Sequence, residues 1–116
     1  NICSGLAASP GVVSGVAVWV DEYQPNFEHI NETTILVAPM TDIKFVGAMR
    51  RAAAVITEYG GILCHAAVQG REIAKLRGKE LPCVVGIPDL FKKIKDGATI
   101  TVDGTKGEVY LGKVDI

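Results

Sequence analysis

The middle of the chain alternates short apolar runs with segments of helical character, and this alternation constrains the fold more than any other feature. Apolar runs rich in β-branched residues occupy 34–38, 53–57 and 82–86, and each is followed by a helix signal. Strands that alternate with helices are typical of a parallel sheet with crossover helices. The pattern therefore predicts a β-α-β-α-β-α core. The length of 116 residues predicts a single domain.

Three helices are predicted between or after these runs, over 42–51, 63–77 and 88–95. Asp42 is placed to cap the first helix, because a side-chain oxygen at this position accepts from the first free amides. Gly78 is suited to end the second helix.

The two ends of the chain predict antiparallel β structure. The triplet Ser9-Pro10-Gly11 indicates a turn, and an apolar run follows at 16–20; residues 21–33 are typical of a polar loop. Near the other end, apolar and polar residues alternate over 98–102, and a turn leads to a partner strand at 108–111. We therefore expect a small α/β domain with a hairpin at each end, although the pattern does not determine its layers.

Composition excludes several classes of function. Twelve Lys and Arg balance thirteen Asp and Glu, so the chain has no basic field for a nucleic acid. No apolar run approaches the roughly 20 residues that span a bilayer. The three cysteines, Cys3, Cys64 and Cys83, argue against a disulfide framework and for a reducing, cytoplasmic compartment. Their spacing around His65 fits no usual zinc pattern, so no metal site is predicted.

The segment 57–67 carries the strongest chemical signal. A buried strand ends, Gly60 and Gly61 turn the chain, and a helix begins with His65 in its first turn. A helix N-terminus presents free N–H groups and favours an anion, and a neutral imidazole is a competent nucleophile. A phosphohistidine is therefore possible here. On spacing alone, a histidine in a first turn is more often a capping or packing residue.

A larger set of residues resembles a known family. Gly60-Gly61-x-x-Cys64-His65-Ala66-Ala67, then Arg71-Glu72, then Pro82-Cys83-Val84-Val85-Gly86 is similar to the signature of the phosphohistidine swivelling domain of phosphoenolpyruvate-utilising enzymes. That domain is the mobile part of phosphoenolpyruvate synthase and pyruvate phosphate dikinase. Matching segments at 9–15, 36–42 and 96–107 extend the resemblance over nearly the whole chain. It implies a three-layer β/β/α fold, with His65 phosphorylated on Nε2.

The resemblance also implies partners. In such phosphotransferases the phosphoryl group comes from ATP in an ATP-grasp domain and passes to a barrel domain that holds pyruvate and Mg²⁺. We therefore expect residues 1–116 to be a carrier domain of a larger enzyme, catalytically incomplete and without a cofactor of its own. Two alternatives remain: the carrier of a rifampicin-type phosphotransferase, and a docking module that is never phosphorylated.

The resemblance names further site residues. Gly60, Gly61 and Cys64 are expected to shape the site. Arg71 is expected either to hold the phosphoryl group or to pair with a carboxylate, and Thr41 to cap a helix or approach the site. The family usually has Thr where this chain has Leu63, and it has a shorter connection than 73–81. We interpret 73–81 as a longer helix with a basic loop, which either alters docking to a partner domain or, as we favour, is a neutral surface insertion.

Overall fold

Four parallel strands form the centre of one eight-stranded sheet in the computed structural model, which describes residues 2–21 and 23–115. The strands are β1 (Cys3–Ser4), β2 (Leu6–Ser9), β3 (Val12–Trp19), β4 (Thr34–Ala38), β5 (Ala54–Thr57), β6 (Cys83–Val85), β7 (Thr99–Asp103) and β8 (Glu108–Leu111). The helices are α1 (Val46–Arg51), which follows a 3-10 turn at Ile43–Phe45, then α2 (His65–Arg77) and α3 (Leu90–Lys93). No helix in this described part of the chain is both long and apolar enough to cross a membrane.

The sheet closes on itself. Its strand order is β1-β8-β7-β3-β4-β5-β6-β2, so β1 and β2 lie at opposite ends of the order. Only Gly5 separates these two strands along the chain, and its amide donates to the carbonyl of Gly107 at 2.9 Å. A Cβ at Gly5 would collide with the carbonyl oxygen of Val85. A residue without a side chain therefore lets one segment join the two edges.

Two hydrophobic cores lie on opposite faces of the parallel strands. Because side chains alternate along a strand, Leu36 of β4 packs towards the helices, with Phe45 and Met49. Its neighbour Val37 packs inside the curled sheet, with Val102 of β7. The result is a layer of helices, a layer of parallel strands and a second layer of strands. The expected three-layer β/β/α fold is confirmed.

The parallel core and the C-terminal hairpin agree with the sequence predictions. Strands β3 to β6 pair in parallel register, and β7 pairs with β8 in antiparallel register. The side chain of Asp42 accepts from the amide of Lys44 at 2.9 Å, as a cap should. Gly78 ends α2 in the left-handed region, with φ of 65°. These features depend on residues close in sequence, which explains why they were predictable.

Three predictions about elements were wrong. The N-terminal hairpin does not form, because β2 pairs with β6 and β3 pairs with β7. The third helix is only Leu90–Lys93, since Asp89 before it has a left-handed backbone (φ 55°) that a helix cannot include. The second helix begins at His65, because Cys64 is extended.

The connection 73–81 is part of the fold, so its interpretation as a neutral surface insertion was also wrong. Ile73 and Leu81 are fully buried in the core under the helices. The Arg77 guanidinium donates to the carbonyls of Arg50 and Ala52 at 3.0 and 2.9 Å, and so ties α2 to the end of α1. Removing this segment would open the helical layer.

Candidate functional site

His65 is the first residue of α2 and follows the loop at the carboxyl end of β5. In parallel sheets the loops at this edge carry ligand sites. Cys64 is the N-cap, but its side chain makes no capping hydrogen bond. The first amides of α2 are therefore free of a side-chain acceptor, and they form the positive end of the helix dipole. The predicted position of His65 at a helix N-terminus is where the structure has it.

The loop 58–64 has its shape because of Gly60. Its φ is +132°, and a Cβ there would lie 2.7 Å from the sulfur of Cys64. Gly86, with φ +68°, approaches so closely that its Cβ would lie 2.8 Å from the carbonyl oxygen of Gly60. Gly61 is different, since a Cβ there would meet nothing within 4 Å. Gly60 is thus required by the backbone, and Gly61 is not.

Thr41 contacts the histidine directly. Its Oγ1 lies 2.8 Å from Nδ1 of His65, within hydrogen-bonding distance. Thr41 is buried and follows β4, the strand beside β5, so two neighbouring loops meet at the ring. No other described residue hydrogen-bonds to this ring, which leaves Nε2 as the nitrogen available for chemistry. Thr41 was expected either to cap a helix or to approach the site. In the structure it approaches the site.

Arg71 binds backbone oxygens near the site. Its guanidinium donates to the carbonyl of Ala8 in β2 at 2.9 Å and to that of Ile62 at 3.2 Å. It therefore ties the loop before His65 to α2 and to the closing strand. The expected alternative of a salt bridge is wrong, because the partners of this guanidinium are carbonyls rather than carboxylates.

Burial sets the charge state of the histidine. Loss of hydration lowers the pKa of the half-buried His65 ring below its ordinary value. The Asp42 carboxylate has a smaller effect in the opposite direction. Lys44 offsets that carboxylate, with Nζ 3.4 Å from Asp42 Oδ2. The ring is therefore mainly neutral at pH 7, as a nucleophile must be.

The cysteines around the site differ in accessibility. Cys64 is half-buried beside Gly60, whereas Cys83 is fully buried, and burial raises the pKa of the Cys83 thiol to about 12. Cys83 is thus a packing residue beneath α2. Gly70 of α2 packs against Cys83, because a Cβ at Gly70 would lie only 2.5 Å from the Cys83 sulfur. Residues 2–21 and 23–115 contain no group of three or more His, Cys, Asp or Glu side chains placed to hold a metal ion.

The sequence interpretation did not single out the exposed apolar side chains in the segments that contain Thr41 and precede His65. They include Ile43, two residues after Thr41, and Leu63, two residues before His65, which are among the most exposed large hydrophobic residues that the structure describes. Leu63 was noted only as a departure from the family pattern. A run of apolar residues in a predicted loop, rather than in a strand or helix, is the signal that could have revealed them.

Comparison with known proteins agrees with this geometry. The family model described as "PEP-utilising enzyme, mobile domain" matches residues 30–107, which include Thr41, the glycine loop and His65. A probable phosphoenolpyruvate synthase of Archaeoglobus fulgidus is 43% identical over 114 residues, which are 98% of this chain and 14% of that protein. The phosphoenolpyruvate synthase of Pyrococcus furiosus is 43% identical over 113 residues, 97% of this chain and 13% of that protein.

A third relative has a different name. A protein named pyruvate kinase, from Lactobacillus delbrueckii subsp. bulgaricus, is 36% identical over 114 residues, 98% of this chain and 18% of that protein. The chain thus spans only 13–18% of the length of these three curated relatives.

Solved structures share the fold at lower identity. An NMR structure of Enzyme I superposes with a TM-score of 0.60 at 23% identity, covering 78% of this chain and 35% of that one. Aconitase X of Thermococcus kodakaraensis superposes with a TM-score of 0.63 at 19% identity, covering 96% and 98%. Identities this low establish the fold alone, whereas the family match covers most of the sequence. The chain belongs to the mobile-domain family of phosphoenolpyruvate-utilising enzymes.

Proposed function

We propose that this chain is a phosphoryl carrier, in which His65 accepts a phosphoryl group on Nε2 and passes it to a second substrate. The observation that carries the proposal is the hydrogen bond between Thr41 Oγ1 and His65 Nδ1 at the N-terminus of α2. It occupies one ring nitrogen and leaves the other for chemistry. A histidine that only capped or packed the helix would not need a buried hydroxyl to orient it.

This hydrogen bond is compatible with either ring tautomer, and the proposal requires the one protonated on Nδ1. When Nδ1 carries the proton and donates it to Thr41, Nε2 keeps its lone pair for attack on phosphorus. The N–P bond forms as the bond from phosphorus to the donor's leaving oxygen breaks, and that oxygen keeps the electron pair. In the second transfer an acceptor oxygen attacks phosphorus, and the electron pair of the N–P bond returns to Nε2. The Nδ1 proton stays in place throughout.

The surroundings favour the phosphorylated state. The free amides at the start of α2 and its dipole stabilise an anion by about 0.3–1 kcal/mol, and by up to about 2 kcal/mol when partly buried. The same positive end disfavours a protonated ring, in addition to the burial that lowers the pKa of His65.

The partners belong to the proposal as well. A carrier needs a donor site and an acceptor site, and the relatives named phosphoenolpyruvate synthase are about seven times longer than this chain, which spans 13–14% of them. We assign the donor site to an ATP-grasp domain and the acceptor site to a barrel domain that binds pyruvate or phosphoenolpyruvate, with ATP and Mg²⁺ bound there. The three unpaired cysteines suit a reducing cytoplasm.

A docking module without phosphorylation is the second candidate. The relative named pyruvate kinase contains a segment that matches 98% of this chain. A similar domain therefore also occurs in a protein with a different name. The exposed Leu63 beside His65 is compatible with a surface used only for contact. The two candidates differ in one property, which is the reactivity of His65.

The test is phosphorylation by a small phosphoramidate, followed by intact mass and phosphorus NMR. We expect one acid-labile phosphoryl group on the wild type and none on His65→Ala. His29 lies in the 21–33 loop far from the glycine loop in sequence, and it serves as an internal control. Label that persists in His65→Ala would place the reactive histidine at His29, and an unlabelled wild type would favour the docking module.

A further inference from the structure

Gln69 lies one turn beyond His65 on α2, and the two residues share one face of this helix. Residues at positions i and i+4 of a helix have Cβ atoms about 5–6 Å apart. Each Cα–Cβ bond tilts towards the N-terminus of the helix, so the side chain of Gln69 leans towards His65. The helix is regular at this point, because the amide of Val68 donates to the carbonyl of Cys64 at 3.0 Å. The long side chain of Gln69 can therefore reach the space beside the His65 ring.

The side-chain amide of Gln69 is not used by the fold. The residue is half-buried, and within the ranges 2–21 and 23–115 no group of the protein hydrogen-bonds to this amide. Its nitrogen carries two N–H donors, and its oxygen is an acceptor. A ligand that accepts a hydrogen bond from Gln69 would therefore break no bond of the folded chain.

The other polar side chains that follow His65 in the first two turns of α2 are not free to donate. The Arg71 guanidinium is engaged with two backbone carbonyls. Glu72 is a carboxylate, which only accepts hydrogen bonds when it is ionised. Before the helix, Leu63 has no hydroxyl where the family usually has that of a threonine. Within 66–72, all of which the structure describes, Gln69 is thus the one side chain with an unused N–H donor.

A phosphoryl group on His65 would need such a donor. The bond from Thr41 to Nδ1 fixes the ring, so a group on Nε2 has a defined direction. A phosphoryl group presents three strong acceptor oxygens and close to two negative charges at pH 7. The charge of the Asp42 carboxylate acts on the His65 ring and would repel these oxygens, although Lys44 partly offsets it at 3.4 Å. A neutral amide donor compensates for this repulsion.

We propose that Gln69 holds the phosphoryl group on His65 by donating an amide N–H to one of its oxygens. This inference rests on the proposed function. The hydrogen bond forms as the phosphoryl group arrives on Nε2 and breaks when the group leaves, so it favours the phosphorylated carrier over the free histidine. Gln69 is thereby a ligand of the transferred group and not a partner of the ring.

The test compares Gln69→Met and Gln69→Glu in the full-length protein that contains this chain, with Lys75→Met as the matched control. Methionine keeps the side-chain length and the helix propensity but has no N–H donor, whereas glutamate keeps the shape and adds a negative charge. Lys75 is exposed on the same helix, roughly 15 Å further along its axis than His65. Each protein is phosphorylated with the small phosphoramidate, and the phosphohistidine is then titrated by phosphorus NMR.

We expect Gln69→Met to slow phosphorylation about tenfold, which corresponds to the loss of one hydrogen bond to a charged group. Gln69→Glu should slow it further, because its carboxylate repels the phosphoryl oxygens. In both variants the pKa of the phosphoryl group should rise, since the lost donor stabilised the doubly charged form. Lys75→Met should leave the rate and the titration unchanged. Nitrogen-15 NMR should show the wild-type tautomer ratio for the unphosphorylated ring of Gln69→Met, which verifies that the site is folded.

Two results would overturn the inference while leaving the proposed function intact. A wild-type rate and a wild-type phosphorus titration in Gln69→Met would exclude a hydrogen bond from Gln69 to the phosphoryl group. A changed tautomer ratio in the unphosphorylated ring of that variant would make Gln69 a partner of the ring instead. If the phosphoramidate fails to label wild-type His65, the proposed function itself fails together with this inference, and that result is seen without any variant.

Discussion

Thr41 Oγ1 lies 2.8 Å from His65 Nδ1, although the two residues are 24 positions apart in the chain. Thr41 follows β4 and His65 begins α2 after β5, and these two strands pair in parallel register with Ala38 opposite Thr57. The sheet therefore sets the distance between hydroxyl and ring. The orientation of the His65 ring therefore depends on the pairing of β4 and β5.

Replacing Thr41 by valine removes the hydroxyl and keeps the shape of the side chain. A hydrogen bond of this kind contributes about 0.5–1.5 kcal/mol, so we expect phosphorylation of His65 to slow roughly two- to tenfold. Nitrogen-15 NMR of the imidazole should also show an increased share of the tautomer protonated on Nε2. Thr41→Ser should restore both properties. A normal tautomer ratio in the valine variant would contradict the positioning role.

Elements whose structure depends on neighbouring residues were predictable from the sequence. Strand β4 at 34–38, the cap at Asp42 and the helix end at Gly78 all follow from local patterns, and the structure agrees. The pairing of β2 with β6 joins residues more than seventy positions apart, and its register is set by the closing of the sheet at Gly5. No local pattern contains that information.

In the candidate site, too, the local features were predictable from the sequence and the long-range contacts were not. The glycine loop and the helix start are local features, so the position of His65 was predictable. The partners of Arg71 were not, because the carbonyl of Ala8 reaches it through the long-range pairing of β2. The contact between Thr41 and His65 likewise exists only once β4 and β5 are paired.

Gly60 and Gly61 provide a matched pair of substitutions. Gly60→Ala forces a left-handed backbone on a residue with a Cβ and pushes that Cβ against the Cys64 sulfur. We expect a loss of about 1–3 kcal/mol in the free energy of unfolding, together with slower phosphorylation. Gly61→Ala meets open space and should change stability by less than about 1 kcal/mol. Urea denaturation of both variants tests the pair, and equal losses would contradict the distinction.

Arg71 should act on the loop rather than on the phosphoryl group. Arg71→Met leaves the carbonyls of Ala8 and Ile62 without their donor. A hydrogen bond to a charged group contributes about 1.5–3 kcal/mol, so we expect a loss of about 2 kcal/mol in the free energy of unfolding. Hydrogen exchange at the amide of Cys64, which donates to Gly61, should become faster. Unchanged stability with loss of phosphorylation would instead make Arg71 a ligand of the phosphate.

The pH dependence of His65 follows from the direction of its pKa shift. Burial lowers the pKa below the ordinary 6.5, so more than half of the rings are neutral at pH 6.5, and nucleophilic reactivity is lost only as the pH falls through the lower, folded-state pKa. The Asp42 carboxylate opposes this shift, so Asp42→Asn should lower the pKa of His65 further. Asparagine retains an oxygen that can accept from the amide of Lys44, and the cap should therefore survive. Proton NMR titration of the His65 ring in both proteins measures the shift. A pKa above 6.5 in the wild type, or a rise in Asp42→Asn, would contradict this account of the site.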